Sequence, residues 1–270
     1  MKPDFTAHNS TYIEINAVLQ LLLVNVQAVL GDLFIGLYIH GSLAGGGFEP
    51  GRSDIDFVVV TESEVPELLL ARLAAMHKKI TLSGMKWADV LEGSYIPKDA
   101  LRHYDPANSH HPALRSDGSF AVDHHGIDWI ILSHVLREKG IAIAGPDLKS
   151  FIDPIPPGDL RRAAAQTLQA WWQPQLIEPT WLLSAEYQAY AVLTMCRSLY
   201  TLEHGEIVSK PEAARWALKI VPEERVGLIE KALAWRRGME FDRLEEVQGL
   251  IWDTIGKAKV IRDQGLGTGK

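Results

Sequence analysis

Two aspartates one residue apart, in Ser53-Asp54-Ile55-Asp56, stand just beyond a Gly41-Ser42 pair, with Asp54 twelve positions after Ser42. In a β-strand alternate side chains share a face, so Asp54 and Asp56 point the same way with about 6.5–7 Å between their Cα atoms. Carboxylates so placed suit Mg2+, a hard cation that prefers oxygen ligands and keeps waters and substrate phosphates in its octahedron. Two such ions about 3.5–4 Å apart clamp the attacking and leaving oxygens of an in-line displacement at phosphorus. The glycine turn supplies the complement. Without Cβ atoms its backbone N–H groups approach a triphosphate closely, and Ser42 adds a hydroxyl donor. Gly41, Ser42 and Ser53 are therefore the candidate nucleotide-binding residues, and Asp54 and Asp56 the candidate metal ligands.

A hydroxyl nucleophile also needs a base. Glu92 is the best candidate, on a strand able to lie beside that of Asp54; it completes a triad of carboxylates for catalysis and metal binding. Asp89 competes, but on a regular strand it points to the opposite face, so only one of the two can join the aspartate pair. No Gly-Lys-Ser/Thr follows the glycines, which excludes a Walker loop, and a strand rather than a helix follows them, which excludes the dinucleotide fingerprint.

The elements that must position these groups are legible from periodicity. Ile15, Val18, Leu22, Val26 and Val29 recur at helical spacing between Tyr12 and Leu30, with Gly31 as a stop. Phe34 to His40 and Ile55 to Val60 read as buried strands around the glycine turn. A helix runs from Pro66 to about Lys79, and Trp87 to Ile96 reads as a third strand. Asp99 to Asp123, rich in His, Asp, Ser and Pro, shows no period and reads as a long loop beside a site. A helix from Ile127 to Lys139 and a short strand from Ile141 to Ala144 follow.

Clustered prolines in Asp153-Pro154-Ile155-Pro156-Pro157 mark a domain boundary, dividing residues 1–153 from 154–270. Everything beyond reads as helix: Leu160–Trp172, Trp181–His204, Pro211–Ile220, Glu223–Arg237 and Leu244–Arg262, with a frayed tail from Gly265 to Lys270. Ser209 and Glu212 have the spacing of a capping box. The fold class is α+β, a mixed sheet with helices followed by an all-α bundle.

A net charge of -7 argues against nucleic acid as a partner. The apolar run from Val18 to Val24 is too short to span a bilayer and reads as neither signal peptide nor anchor. The single cysteine, Cys196, excludes an internal disulfide, fits a reducing cytoplasm and reads as core filler. His110-His111 and His124-His125 are adjacent pairs rather than the spaced ligands of a zinc site. The many tryptophans of the second half read as packing.

The Gly41-Ser42 turn and Ser53-Asp54-Ile55-Asp56 resemble the signature of the DNA polymerase β-like nucleotidyltransferases. The second half is similar to the aminoglycoside (3″)(9) adenylyltransferases, through Gly145-Pro146, Phe151-Ile152-Asp153-Pro154-Ile155-Pro156, Val192-Leu193-Thr194-Met195-Cys196-Arg197 and Gly205-Glu206-Ile207-Val208-Ser209-Lys210. The resemblance implies an N-terminal nucleotidyltransferase lobe, a helical C-terminal lobe, and transfer of AMP from ATP to an antibiotic hydroxyl. It assigns Asp54 and Asp56 to the metals and Glu92 to the base, and puts Arg197, Lys210 and Trp235 near ATP. Where the family carries acidic residues that help hold the aminoglycoside, Ser184 to Tyr190 offers only Glu186. The implied partners are ATP and an aminoglycoside-like small molecule, for a monomer in the cytoplasm. Rival readings are a nucleotidyltransferase with a protein or RNA acceptor, and a nucleotide-binding regulator without transfer.

Overall fold

The computed structural model describes residues 10–263. The chain divides into two compact units, Met1–Pro154 and Ile155–Lys270. In order, the first contains α1 (Ser10–Leu30), β1 (Phe34–Ile39), a helical turn α2 (Gly41–Ala44), β2 (Ile55–Thr61), α3 (Glu67–Thr81), β3 (Leu91–Pro97), α4 (Lys98–Arg102), β4 (His110–Leu114), β5 (Phe120–His124), α5 (Trp129–Lys139) and β6 (Ile141–Ala144). The strands form one sheet in the order β5-β4-β3-β2-β1-β6. Only β2 and β3 run parallel; the other neighbours are antiparallel.

The central strand β2 is buried on both faces, which is why Ile55 to Val60 reads as an almost continuous apolar run. On one face Ile55, Phe57 and Val59 pack with Ile15, Val18, Leu22 and Val26 of α1 and Leu73 of α3. Each such side chain contributes about 1.5–3 kcal/mol on leaving water. On the other face Val58 and Val60 pack with Ile96 of β3 and Trp129 and Leu136 of α5. That second core covers only the far part of the strand, and Asp54 and Asp56 occupy the same face at its start. By length and composition Thr11–Leu33 resembles a membrane span, with a mean hydropathy of 1.7. Its stripe Ile15, Val18, Leu19, Leu22 and Val26 is nonetheless at most 1 % exposed against the sheet.

Two expectations are corrected in this unit. The third strand starts at Leu91 rather than Trp87, because Trp87 adopts a left-handed conformation (φ 72°) and Ala88–Val90 form a 3-10 turn. The region from Asp99 to Asp123 is not a loop: it contains α4 and the β4–β5 hairpin. A reverse turn closes the hairpin, with Gly118 at φ 79° and its N–H donating to Arg115 O at 2.9 Å, while the Asp117 carboxylate accepts from Ser119 N–H at 2.8 Å. Pro112 argues against a strand by propensity. It is tolerated because β4 registers with β3 only at Gly93–Leu114 and Ser94–Ala113, so Pro112 lies beyond that pairing.

The second unit is helical throughout its regular elements: α6 (Pro157–Thr167), extended by a π-turn over Leu168–Trp172, then α7 (Ala185–His204), α8 (Lys210–Ala217), α9 (Glu223–Ala234) and α10 (Leu244–Asp263). The expected Trp181 start belongs to a 3-10 turn, Trp181–Leu183; α7 begins after Ser184, whose Oγ accepts from Tyr187 N–H at 3.0 Å. α7 is the buried centre of this unit, and Gly205 stops it in the left-handed region at φ 68°. Cys196 is wholly buried in it, and burial pushes the thiol up to about 12. Ser209 Oγ accepts from Glu212 N–H at 3.3 Å at the head of α8, as the capping pattern predicts. The tail from Gly265 to Lys270 lies outside the described residues.

Candidate active site

β1 runs antiparallel to β2 as far as Ile39–Phe57, and His40 N–H then donates to Asp56 O at 3.1 Å. The chain turns at once into α2, so the glycine turn lies directly over Asp56. Gly41 has φ +63°, and a Cβ there would come within 1.9 Å of Asp56 Oδ2. Two independent constraints therefore demand glycine: a left-handed backbone and the close approach of a carboxylate. No side chain caps α2. Its own hydrogen bonds begin only at Ala44 N–H to His40 O (3.4 Å) and Gly45 N–H to Gly41 O (3.0 Å), so the turn uses none of the N–H groups of Gly41, Ser42 and Leu43. Ser42 Oγ is out of water with no hydrogen-bond partner. A buried unpaired hydroxyl is costly, and an anionic oxygen in this turn would satisfy it.

Asp56 and Glu92 are register partners on β2 and β3, and both side chains are half-buried. By alternation Glu92 shares the face of Asp54 and Asp56, opposite Ile55, Phe57 and Leu91 in the apolar core. Gly93 lets the two strands approach, since a Cβ there would lie 2.2 Å from Phe57 O. Asp89 falls in the 3-10 turn and is exposed, outside this row. Ser53 Oγ accepts from Glu49 N–H at 3.1 Å, and Ser53 N–H donates to Glu49 O at 2.9 Å; it closes the loop that returns from the glycines to β2.

Among the described residues no three His, Cys, Asp or Glu side chains form a ready-made metal cage. The aspartates fit a different kind of cation site, one in which one or two carboxylates meet an ion that arrives with substrate phosphates and waters. The unpaired Ser42 hydroxyl and the Gly41 backbone stand beside Asp56 in the same turn. Such an arrangement can hold a polyphosphate, and its third carboxylate can take a proton from a hydroxyl.

The histidines are structural neighbours of this face. His40 is buried, and burial pushes its imidazole down to about 4 despite a hydrogen bond to the Phe57 backbone. His110 and His124 are cross-strand partners with ring centroids 5.0 Å apart. His111 Nε2 meets Asn108 O at 3.2 Å. His125 Nε2 meets Ser94 Oγ at 3.3 Å, two residues beyond Glu92. The sequence reading missed Ser94; its one signal is that it shares the face of Glu92 on β3.

In the helical unit Arg197 is half-buried on α7. Lys210 Nζ lies 3.8 Å from the ring centroid of Tyr190. Trp235 is 5 % exposed and donates its indole N–H to Met239 O at 2.9 Å, so its ring is committed to the core of this unit. Glu186, the one carboxylate of its stretch, pairs with Arg237 at 3.2 Å.

Comparison with known proteins agrees with both halves. The model of the nucleotidyltransferase domain matches residues 29–106, and that of the aminoglycoside adenylyltransferase C-terminal domain matches residues 150–259. The chain belongs to the aminoglycoside adenylyltransferase family. Membership makes it a nucleotidyltransferase, an enzyme of an antibiotic-resistance family. A spectinomycin 9-adenylyltransferase of Staphylococcus aureus is 27% identical over 245 residues, covering 85% of this chain and 88% of the relative. An aminoglycoside (3'') (9) adenylyltransferase of Escherichia coli is 28% identical over 256 residues, covering 86% and 93%. The crystal structure of a spectinomycin adenyltransferase from Enterococcus faecialis with ATP and spectinomycin aligns with a TM-score of 0.69 at 21% identity, covering 90% of this chain and 99% of that one. The chain thus pairs a mixed-sheet nucleotidyltransferase region with a helical C-terminal region.

Proposed function

We propose that this enzyme transfers AMP from ATP to a hydroxyl of an aminoglycoside of the streptomycin or spectinomycin type, with Mg2+ and with release of pyrophosphate. The observation that carries the reading is the placement of the Asp56–Glu92 row directly beneath the Gly41-Ser42 turn. The acceptor oxygen forms the new bond to the α-phosphorus, the bond from that phosphorus to the β-phosphate bridge breaks, and pyrophosphate leaves. Glu92 takes the proton from the acceptor hydroxyl. Ser42 and the amides of α2 bind the phosphates. Asp54 and Asp56 would hold Mg2+, whose charge offsets the negative charge on the reacting phosphates. Arg197 and Lys210 are the proposed further contacts to ATP, whereas the buried ring of Trp235 contributes packing.

Support for the acceptor comes from the relatives in Staphylococcus aureus and Escherichia coli, whose names specify spectinomycin and aminoglycosides. The test is pyrophosphate release from ATP with streptomycin, spectinomycin and unrelated aminoglycosides, with and without Mg2+, followed by mass spectrometry of the antibiotic. An added adenylyl group on one of them is the expected result. Label from ATP on protein or RNA with none on any antibiotic would overturn it.

A further inference from the structure

We infer that His125 is a positioning residue for the transfer step: through Ser94 it fixes the segment of β3 that carries Glu92. The inference rests on the reading of Glu92 as the base. β3 registers with β2 from Leu91 to Pro97, but with β4 only at Gly93–Leu114 and Ser94–Ala113. On the β4 side, then, the strand is held by two pairs immediately beside Glu92. Gly93 has no side chain with which to reinforce them. Ser94 does: its Oγ lies 3.3 Å from His125 Nε2.

His125 is itself anchored from three directions. Its backbone N–H donates to Ser109 O at 2.7 Å. Its ring lies 4.4 Å from that of Trp129 at the head of α5 and 5.4 Å from that of His111 on β4. Burial, reinforced by neighbouring His111, pushes the imidazole down to about 4. At neutral pH the ring is uncharged, and its Nε2 faces the Ser94 hydroxyl. The hairpin and α5 thus grip β3 at Ser94, two residues from Glu92. Positional precision of this kind matters, because a displacement of about 1 Å from remote changes can cost about 10²-fold in rate.

The test compares His125→Ala, Ser94→Ala, their double variant and His125→Gln, whose amide can still bond Ser94. Each single alanine variant should lower kcat about tenfold with KM for ATP unchanged, and His125→Gln should recover most of the loss. The double variant should be no worse than either single one, since both break the same bond. Unchanged kcat in the singles, multiplying losses in the double, or a rise in KM for ATP alone would overturn the inference. If the wild type releases no pyrophosphate with any acceptor, the proposed function fails, and amide hydrogen exchange still judges the positioning. His125→Ala, or Ser94→Ala should the first not fold, should speed exchange from Glu92 to Tyr95 while β1 keeps its protection. Unchanged protection there, or equal loss throughout the sheet, would sink it.

Discussion

Asp56 and Glu92 face each other across the parallel β2–β3 pair, one in each strand at the same register. Neighbouring strands lie about 4.7–4.9 Å apart, so the two residues stand side by side in one row on the sheet face. A shared row on adjacent strands fixes their relative position through backbone hydrogen bonds rather than through flexible loops.

Replacing Glu92 with Gln keeps the shape and removes the proposed proton acceptor. General-base catalysis contributes about 10²–10⁴-fold, so kcat should fall within that range while ATP binding changes little. Steady-state kinetics and calorimetric ATP titration measure the two sides. Turnover near the wild-type rate would remove Glu92 from the mechanism.

Gly41→Ala tests the cradle. The new methyl group would stand 1.9 Å from Asp56 Oδ2 and would require a backbone at φ +63°. Backbone strain of this kind costs about 1–3 kcal/mol, and the carboxylate must also move. We expect lower thermal stability together with loss of most activity. Gly46→Ala, where a Cβ meets nothing within 4 Å, should retain far more activity although its φ is +72°.

Removing divalent cations with EDTA should abolish pyrophosphate release, and Mg2+ should restore it. Asp56→Asn halves the charge of the proposed ligand pair, so the Mg2+ concentration for half-maximal activity should rise about tenfold or more. Wild-type Mg2+ dependence in that variant would take Asp56 out of the metal site.

The strands around this site were legible because β2 is apolar on both faces and the carboxylates interrupt the pattern only at its start. Gly41, Ser42, Asp54 and Asp56 announced themselves through residue type and spacing. The hairpin did not. His110, His111, Pro112, Asp123 and His124 are poor strand formers, and their pairing is set by the Asp117–Gly118 turn and by β3, which no local window contains. Trp87 reads as strand for a related reason: an aromatic beside a strand carries strand propensity, while its backbone is left-handed. Ser94 is linked to its partner His125 only by the fold, 31 residues apart in sequence.

His77 carries the last prediction. It lies 1 % exposed beneath the sheet, Nε2 at 2.6 Å from Tyr95 Oη, with its ring stacked 5.9 Å from Phe57 and 5.4 Å from Phe120. Burial pushes the imidazole down to about 4. The unfolded chain, whose histidines titrate near 6.5, therefore binds this proton first as pH falls. Stability from the neutral ring is fully present above about pH 6.5 and is lost as pH falls toward 4. The full effect is on the order of 3 kcal/mol at about 1.4 kcal/mol per pKa unit. His40 and His125, also pushed down to about 4 by burial, act in the same direction. Denaturant unfolding between pH 7 and pH 4.5 should show falling stability in the wild type. His77→Gln, which preserves a partner for Tyr95, should flatten that slope by up to one proton's worth; an unchanged slope would mean that His77 does not resist protonation in the folded state.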